Sequence, residues 1–207
     1  MVQYILFDFD GTLVDSKEAF LSIFNHLAAQ QGFKPILPEE LPYLRTLTIP
    51  QRARHLNFPL YKLPFLTLRL YKLYKKQLHQ LRLFDGIKDL LHTLQSKGYQ
   101  LVIVSSNAED NIRAFLRENG LADVISHILC SSQIHGKDKI ITRFLKQQHL
   151  TPAQVIYMGD ELRDLQACQK SGILMIWVSW GYDSWELVQP QAPAYVVHTP
   201  AEVLAIL

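Results

Sequence analysis

The chain has 207 residues, 48% of them apolar and 19% charged, with a formal net charge of +2. That composition excludes a disordered chain, and no run of about 18 uncharged apolar residues is present to form a spanning helix. Two cysteines, Cys130 and Cys168, are too few for a disulfide framework or a thiolate metal cluster, so a reducing, cytoplasmic setting is expected. The N-terminus does not read as a signal peptide, because Asp8 and Asp10 interrupt the run where an apolar segment would have to continue.

In chain order, Val2 to Phe7 is a short, almost wholly apolar run that ends in the turn Asp8-Phe9-Asp10-Gly11-Thr12. It predicts a strand buried on both faces, as in a parallel sheet. Residues 15–83 show no convincing strand and read as helices broken by Pro35, Pro38, Pro42, Pro50, Pro59 and Pro64. The apolar spacing of Ile87, Leu90, Leu91 and Leu94 predicts a helix over 86–97, ended by Gly98. Gln100–Val104, Val155–Met158 and Ile173–Val178 predict further strands, and Ile140, Ile141, Phe144 and Leu145 predict a helix over 138–149. Thr151-Pro152 and Thr199-Pro200 read as N-caps, the second opening a short C-terminal helix. Strands alternating with helices predict an α/β fold, a doubly wound, mostly parallel sheet. The expected division is a core of residues 1–14 and 84–207 with an inserted helical cap of residues 15–83.

Charge follows the same boundary. Residues 15–83 hold eleven Lys/Arg and four Asp/Glu, +7, which leaves ten basic and fifteen acidic residues elsewhere, −5. Lys72, Lys75 and Lys76 read first as a solvated helix face. Other cations of the insert would attract an anionic ligand. Arg45 and the Arg52/Arg54 pair are the candidates, since arginine suits bidentate recognition of carboxylate or phosphate. The apolar, proline-broken segment Phe58–Phe65 is expected to pack, with substrate lining or a dimer surface as alternatives.

In an open α/β sheet, ligands bind beyond the carboxyl ends of the strands. The polar residues here gather at such ends: Asp8 and Asp10 after the first strand, Ser105-Ser106-Asn107 after the second, and Asp160, Glu161 and Asp164 after another. Buried carboxylates are costly unless paired, and converging acids call for a hard cation such as Mg²⁺.

Asp8-Phe9-Asp10-Gly11-Thr12-Leu13-Val14 resembles the first motif of the haloacid dehalogenase-like hydrolase superfamily, which has a Rossmann-like core. Val104-Ser105-Ser106-Asn107 resembles its second motif, Gly136-Lys137 its third and Gly159-Asp160-Glu161-Leu162-Arg163-Asp164 its fourth, in the family's order. The helical insert and the ending Val178-Ser179-Trp180-Gly181-Tyr182 are similar to the phosphoglycolate phosphatase-like branch. The resemblance implies that Asp8 is a nucleophile attacking phosphorus and that Asp10 is the general acid–base. It implies Mg²⁺ held by Asp8, Asp160 and the backbone carbonyl of Asp10, with Asp164 in the next layer and Glu161 either sharing that work or capping a helix. Ser105 and the N–H of Ser106 or Asn107 would hold phosphoryl oxygens, Lys137 (or else Lys139) would neutralise them, and Gly11 would let the turn approach the phosphate. Arg45 is the first candidate for a contact to the substrate.

The implied activity is a Mg²⁺-dependent phosphatase acting on a small phosphorylated metabolite, phosphoglycolate being one candidate. A phosphomutase, a phosphonatase using Lys17, Lys34 or Lys62, and a binding module built on the basic insert are the alternatives. Membrane and nucleic-acid partners are not expected, and either a monomer or a homodimer is.

Overall fold

The computed structural model describes residues 1–131 and 136–207. The chain runs β1 (Tyr4–Phe7), β2 (Val14–Asp15), α1 (Lys17–Gln31), α2 (Leu41–Arg45), α3 (Ile49–His55), α4 (Leu63–Gln77), β3 (Arg82–Leu83), α5 (Ile87–Ser96) and β4 (Gln100–Ser105). It continues with α6 (Glu109–Glu118), β5 (His127–Cys130), α7 (Lys137–Gln147), β6 (Val155–Gly159), α8 (Leu162–Ser171), β7 (Leu174–Val178), α9 (Trp185–Val188), β8 (Tyr195–Val197) and α10 (Pro200–Ile206). Thr151-Pro152 opens only a single 3₁₀ turn before β6, in which Gln154 Oε1 accepts the Thr151 N–H at 2.8 Å.

Six strands form one parallel sheet in the order β5-β4-β1-β6-β7-β8. The pleat divides β1 between two cores. Ile5 and Phe7 face α5, α6 and α10, packing with Leu91, Phe115 and Val203. Leu6 faces α7 and α8, packing with Phe144 and Leu165. Both faces are therefore apolar, which explains why β1, β4, β6 and β7 read as unbroken hydrophobic runs. β5 and β8 close the two edges and are partly exposed.

β2 and β3 pair antiparallel through Val14↔Leu83 and Asp15↔Arg82. This ribbon, shorter than any periodicity can signal, stands at both ends of the helical stretch. The helices between its strands keep small cores of their own, one around Ala28, Phe33 and Leu66 and one around Ile36, Leu44 and Leu56. The segment expected to pack splits instead: Phe58 joins these clusters, while Tyr61 and Phe65 are exposed at 73% and 83%. Lys72, Lys75 and Lys76 are exposed, the solvated face of α4. Among the described residues no helix is long and apolar enough to cross a membrane.

Candidate active site

The sheet order reverses direction at β1, with β4 on one side and β6 on the other. Loops leaving the carboxyl ends of these three strands meet there, which is where an open α/β sheet receives its ligand. The loop after β1 is held tight by the Gly11 N–H donating to Val14 O at 2.9 Å and the Leu13 N–H to Phe9 O at 3.0 Å. Gly11 sits at φ +82, and a Cβ there would stand 2.5 Å from Asp160 Oδ2. Only glycine satisfies both the backbone and the space.

Asp8, Asp160 and Asp164 are buried, and one carboxylate oxygen of each lies within 4.8 Å of the others. Lys137, at the start of α7, bridges two of them, with Nζ 2.8 Å from Asp8 Oδ2 and 2.6 Å from Asp164 Oδ1. It also donates to Tyr157 Oη at 3.1 Å. Lys139, the alternative, is exposed. Asp160 accepts from Thr12 Oγ1 at 2.8 Å and from the Tyr182 N–H at 2.6 Å, so both of its oxygens are oriented.

The charges do not balance within this group. Burial pushes the Asp8 carboxyl up to about 8, more than the nearby Lys137 lowers it. Burial, with Glu161 and Asp8 adding to it, raises Asp160 well above its ordinary range. Asp164 is also buried, but Lys137 and Arg163 outweigh that and hold it below the usual carboxylate value. Three carboxylates facing one ammonium leave a deficit of two positive charges when all are ionised. Hard oxygen donors short of two positive charges fit a divalent ion such as Mg²⁺.

Asp10 is placed differently. Its carboxylate accepts from Tyr74 Oη at 2.5 Å and from Asn107 Nδ2 at 3.1 Å, so it stands between α4 and the loop after β4. In that loop Ser105 is buried, its Oγ accepting the Asn107 N–H at 3.0 Å. The Ser106 carbonyl accepts from Tyr71 Oη at 2.9 Å, and its Oγ from Arg163 Nη1 at 3.4 Å. Glu161 is the N-cap residue of α8 and forms an ion pair with Arg163.

The family described as haloacid dehalogenase-like hydrolase matches residues 5–178. The chain belongs to the haloacid dehalogenase-like hydrolases. Over 203 residues this hydrolase is 32% identical to a phosphoglycolate phosphatase of Synechococcus elongatus, covering 98% of this chain and 96% of the relative. It is an enzyme of the phosphatase kind within that family. Its fold is shared with a predicted phosphatase from Clostridium acetobutylicum, at TM-score 0.83 and 22% identity over the whole of both chains. It is also shared with CbbY from Rhodobacter sphaeroides in complex with phosphate, at TM-score 0.76 and 22% identity, covering 98% of this chain and 96% of that one.

The remaining candidates of the hydrolase fall into two groups. Arg45 donates to the carbonyls of Tyr182 at 3.3 Å and Ser179 at 3.4 Å, and Arg52 forms an ion pair with Asp183. Both arginines tie the helical stretch to the loop after β7 and also line a cavity beneath the helices, as Lys17 does. Lys34 pairs with Glu40, and Lys62 lies over the Phe33 ring at 5.4 Å. Thr12, Tyr74, Tyr157, Arg163 and Tyr182 had no individual role in the sequence reading. Thr12 and Arg163 stand inside the motifs that carried the resemblance, and Tyr71 and Tyr74 share a face of α4 by their spacing of three. Tyr157 lies in a strand and reads as core.

Proposed function

We propose that this hydrolase is a Mg²⁺-dependent phosphomonoesterase that works through an aspartyl phosphate on Asp8, releasing an alcohol and inorganic phosphate. Small phosphorylated metabolites are its substrate class, phosphoglycolate being one candidate. The observation that carries the reading is the convergence of Asp8 and Asp160, from the ends of β1 and β6, with Asp164, from the first turn of α8, around Lys137. Asp8, Asp160 and the backbone carbonyl of Asp10 are the residues assigned to hold Mg²⁺, which when bound neutralises charge on the phosphoryl oxygens.

Asp8 Oδ forms a bond to phosphorus while the bond from phosphorus to the ester oxygen breaks. Asp10 gives its proton to the leaving alkoxide, then takes one from the water that cleaves the acyl phosphate, regenerating Asp8. The position of Asp10 between Tyr74 and Asn107 supports this role, because both of its oxygens are held by neutral donors. Ser105, the backbone N–H of Ser106 or Asn107, and Lys137 are assigned to the phosphoryl oxygens, with Gly11 leaving room for them. Residues 15–83 act as a cap that keeps bulk water from the site.

The test is Asp8→Asn assayed on an aryl phosphate with Mg²⁺. Turnover should fall by at least about a thousandfold, since the nucleophile is lost. Activity near that of the wild type would end the proposal.

A further inference from the structure

Beneath the helices of residues 17–77 lies a cavity of about 350 Å³. Its inner wall is apolar, built by Phe24, Phe33, Ala53, Phe58 and Leu66 among others. At its core end it reaches Ser106, Glu161, Arg163 and Tyr182. Ser106 belongs to the loop assigned above to the phosphoryl group, so the cavity opens beside that loop. A space of this size falls within the range of about 300–1,000 Å³ usual for small-molecule sites.

The charged side chains that border the cavity stand toward the core. Arg45 and Arg52 reach the loop after β7, Arg163 pairs with Glu161, and Lys17 opens α1 one residue after β2. No charged residue lines the wall beyond them. The mouth therefore suits an anion, and the interior suits a group without charge. A carboxylate-bearing alcohol such as glycolate would reach only the mouth, and a carboxylate pushed deeper would lose its hydration without a partner.

We infer that the substrate is a phosphomonoester whose alcohol part is an uncharged, apolar group, seated in this cavity while the phosphoryl group lies at Asp8. This rests on the phosphatase reading and narrows it. Burial of each added methylene contributes about 0.8 kcal/mol, close to fourfold in kcat/KM.

The experiment measures kcat/KM with Mg²⁺ for methyl, butyl, hexyl and octyl phosphate and for phosphoglycolate. It also measures, by calorimetry, the affinities of methylphosphonate and hexylphosphonate. The expected result is a rise of about fourfold per methylene until the cavity is filled, with hexyl phosphate at least tenfold better than phosphoglycolate. Ala53→Leu and, independently, Thr67→Leu, which intrude from α3 and α4, should each lower the hexyl-to-methyl ratio by about tenfold. A flat or falling series in which the esters are still hydrolysed overturns the inference and leaves the phosphatase reading intact. If no ester is hydrolysed, the phosphatase reading fails. The phosphonates then decide for the cavity: tighter binding of the hexyl compound supports it, and equal binding overturns it.

Discussion

Asp8 bears an electrostatic conflict on the proposed reading, because a buried nucleophile would have to be ionised to react. With its carboxyl pushed to about 8 by burial, the folded protein without metal holds a proton there that the unfolded chain, at 3.8, has lost. The stability this group gives is thus fully present below pH 3.8 and is lost as pH rises through about 8. On the proposed reading a divalent ion would take the place of that proton. The gain in melting temperature on adding Mg²⁺ should therefore grow between about pH 6 and pH 8.5, and Mg²⁺ binding at pH 7 should release acid. A gain that shrinks with rising pH would remove Asp8 from the ligand set. Gly181 tests Asp160 in the same way: a Cβ at this position would fall onto the Asp160 carboxylate. Gly181→Ala should weaken Mg²⁺ activation by about 10- to 100-fold, the usual penalty for disturbing the support of a ligand. An unchanged Mg²⁺ titration would refute this.

Among the elements, α4 connects the helical layer to the chemistry, since Tyr74 reaches Asp10 and Tyr71 reaches the Ser106 carbonyl. A hydrogen bond to a charged group is worth about 1.5–3 kcal/mol, so Tyr74→Phe should lower kcat by about 10- to 100-fold, and Tyr71→Phe by less. Steady-state kinetics of the two variants, with equal losses counting against the assignment, decide this. The same helix shows where the sequence stops being readable. Strands β1, β4, β6 and β7 were legible because burial on both faces makes them continuous apolar runs. The edge strands β5 and β8 have partly exposed faces, and β2 and β3 hold two residues each, so neither pattern nor length announces them. Asp8 and Asp160 stood out because charge next to an apolar run demands an explanation, and Lys137 because it follows Gly136 at the start of a helix within the motif resemblance. Tyr74 did not, since a tyrosine among lysines on a helix looks like solvated surface until tertiary packing turns it toward Asp10.

For the molecule as a whole, the seam between the helices and the sheet runs through Arg45, Arg52 and the loop after β7. Asp183 is buried there, accepting from the Leu162 N–H at 2.7 Å and paired with Arg52. Burial raises its carboxyl to about 6 in spite of that arginine. Arg52→Ala would leave a buried carboxylate with one backbone donor, costing about 2 kcal/mol. Urea unfolding should show a larger loss at pH 8, where Asp183 is ionised, than at pH 5, where it is not. A loss independent of pH would show that the pair does not hold the seam. The loops that carry the acids are also wired to two indoles. Trp177 Nε1 donates to the Asp160 carbonyl at 2.8 Å, and Trp180 Nε1 donates to the Thr12 carbonyl at 3.0 Å. Two of the three tryptophans in the chain thus touch the backbone that an ion would pull taut. Intrinsic emission becomes an optical gauge of occupancy, and a titration followed by fluorescence would report the ion without a label or a substrate.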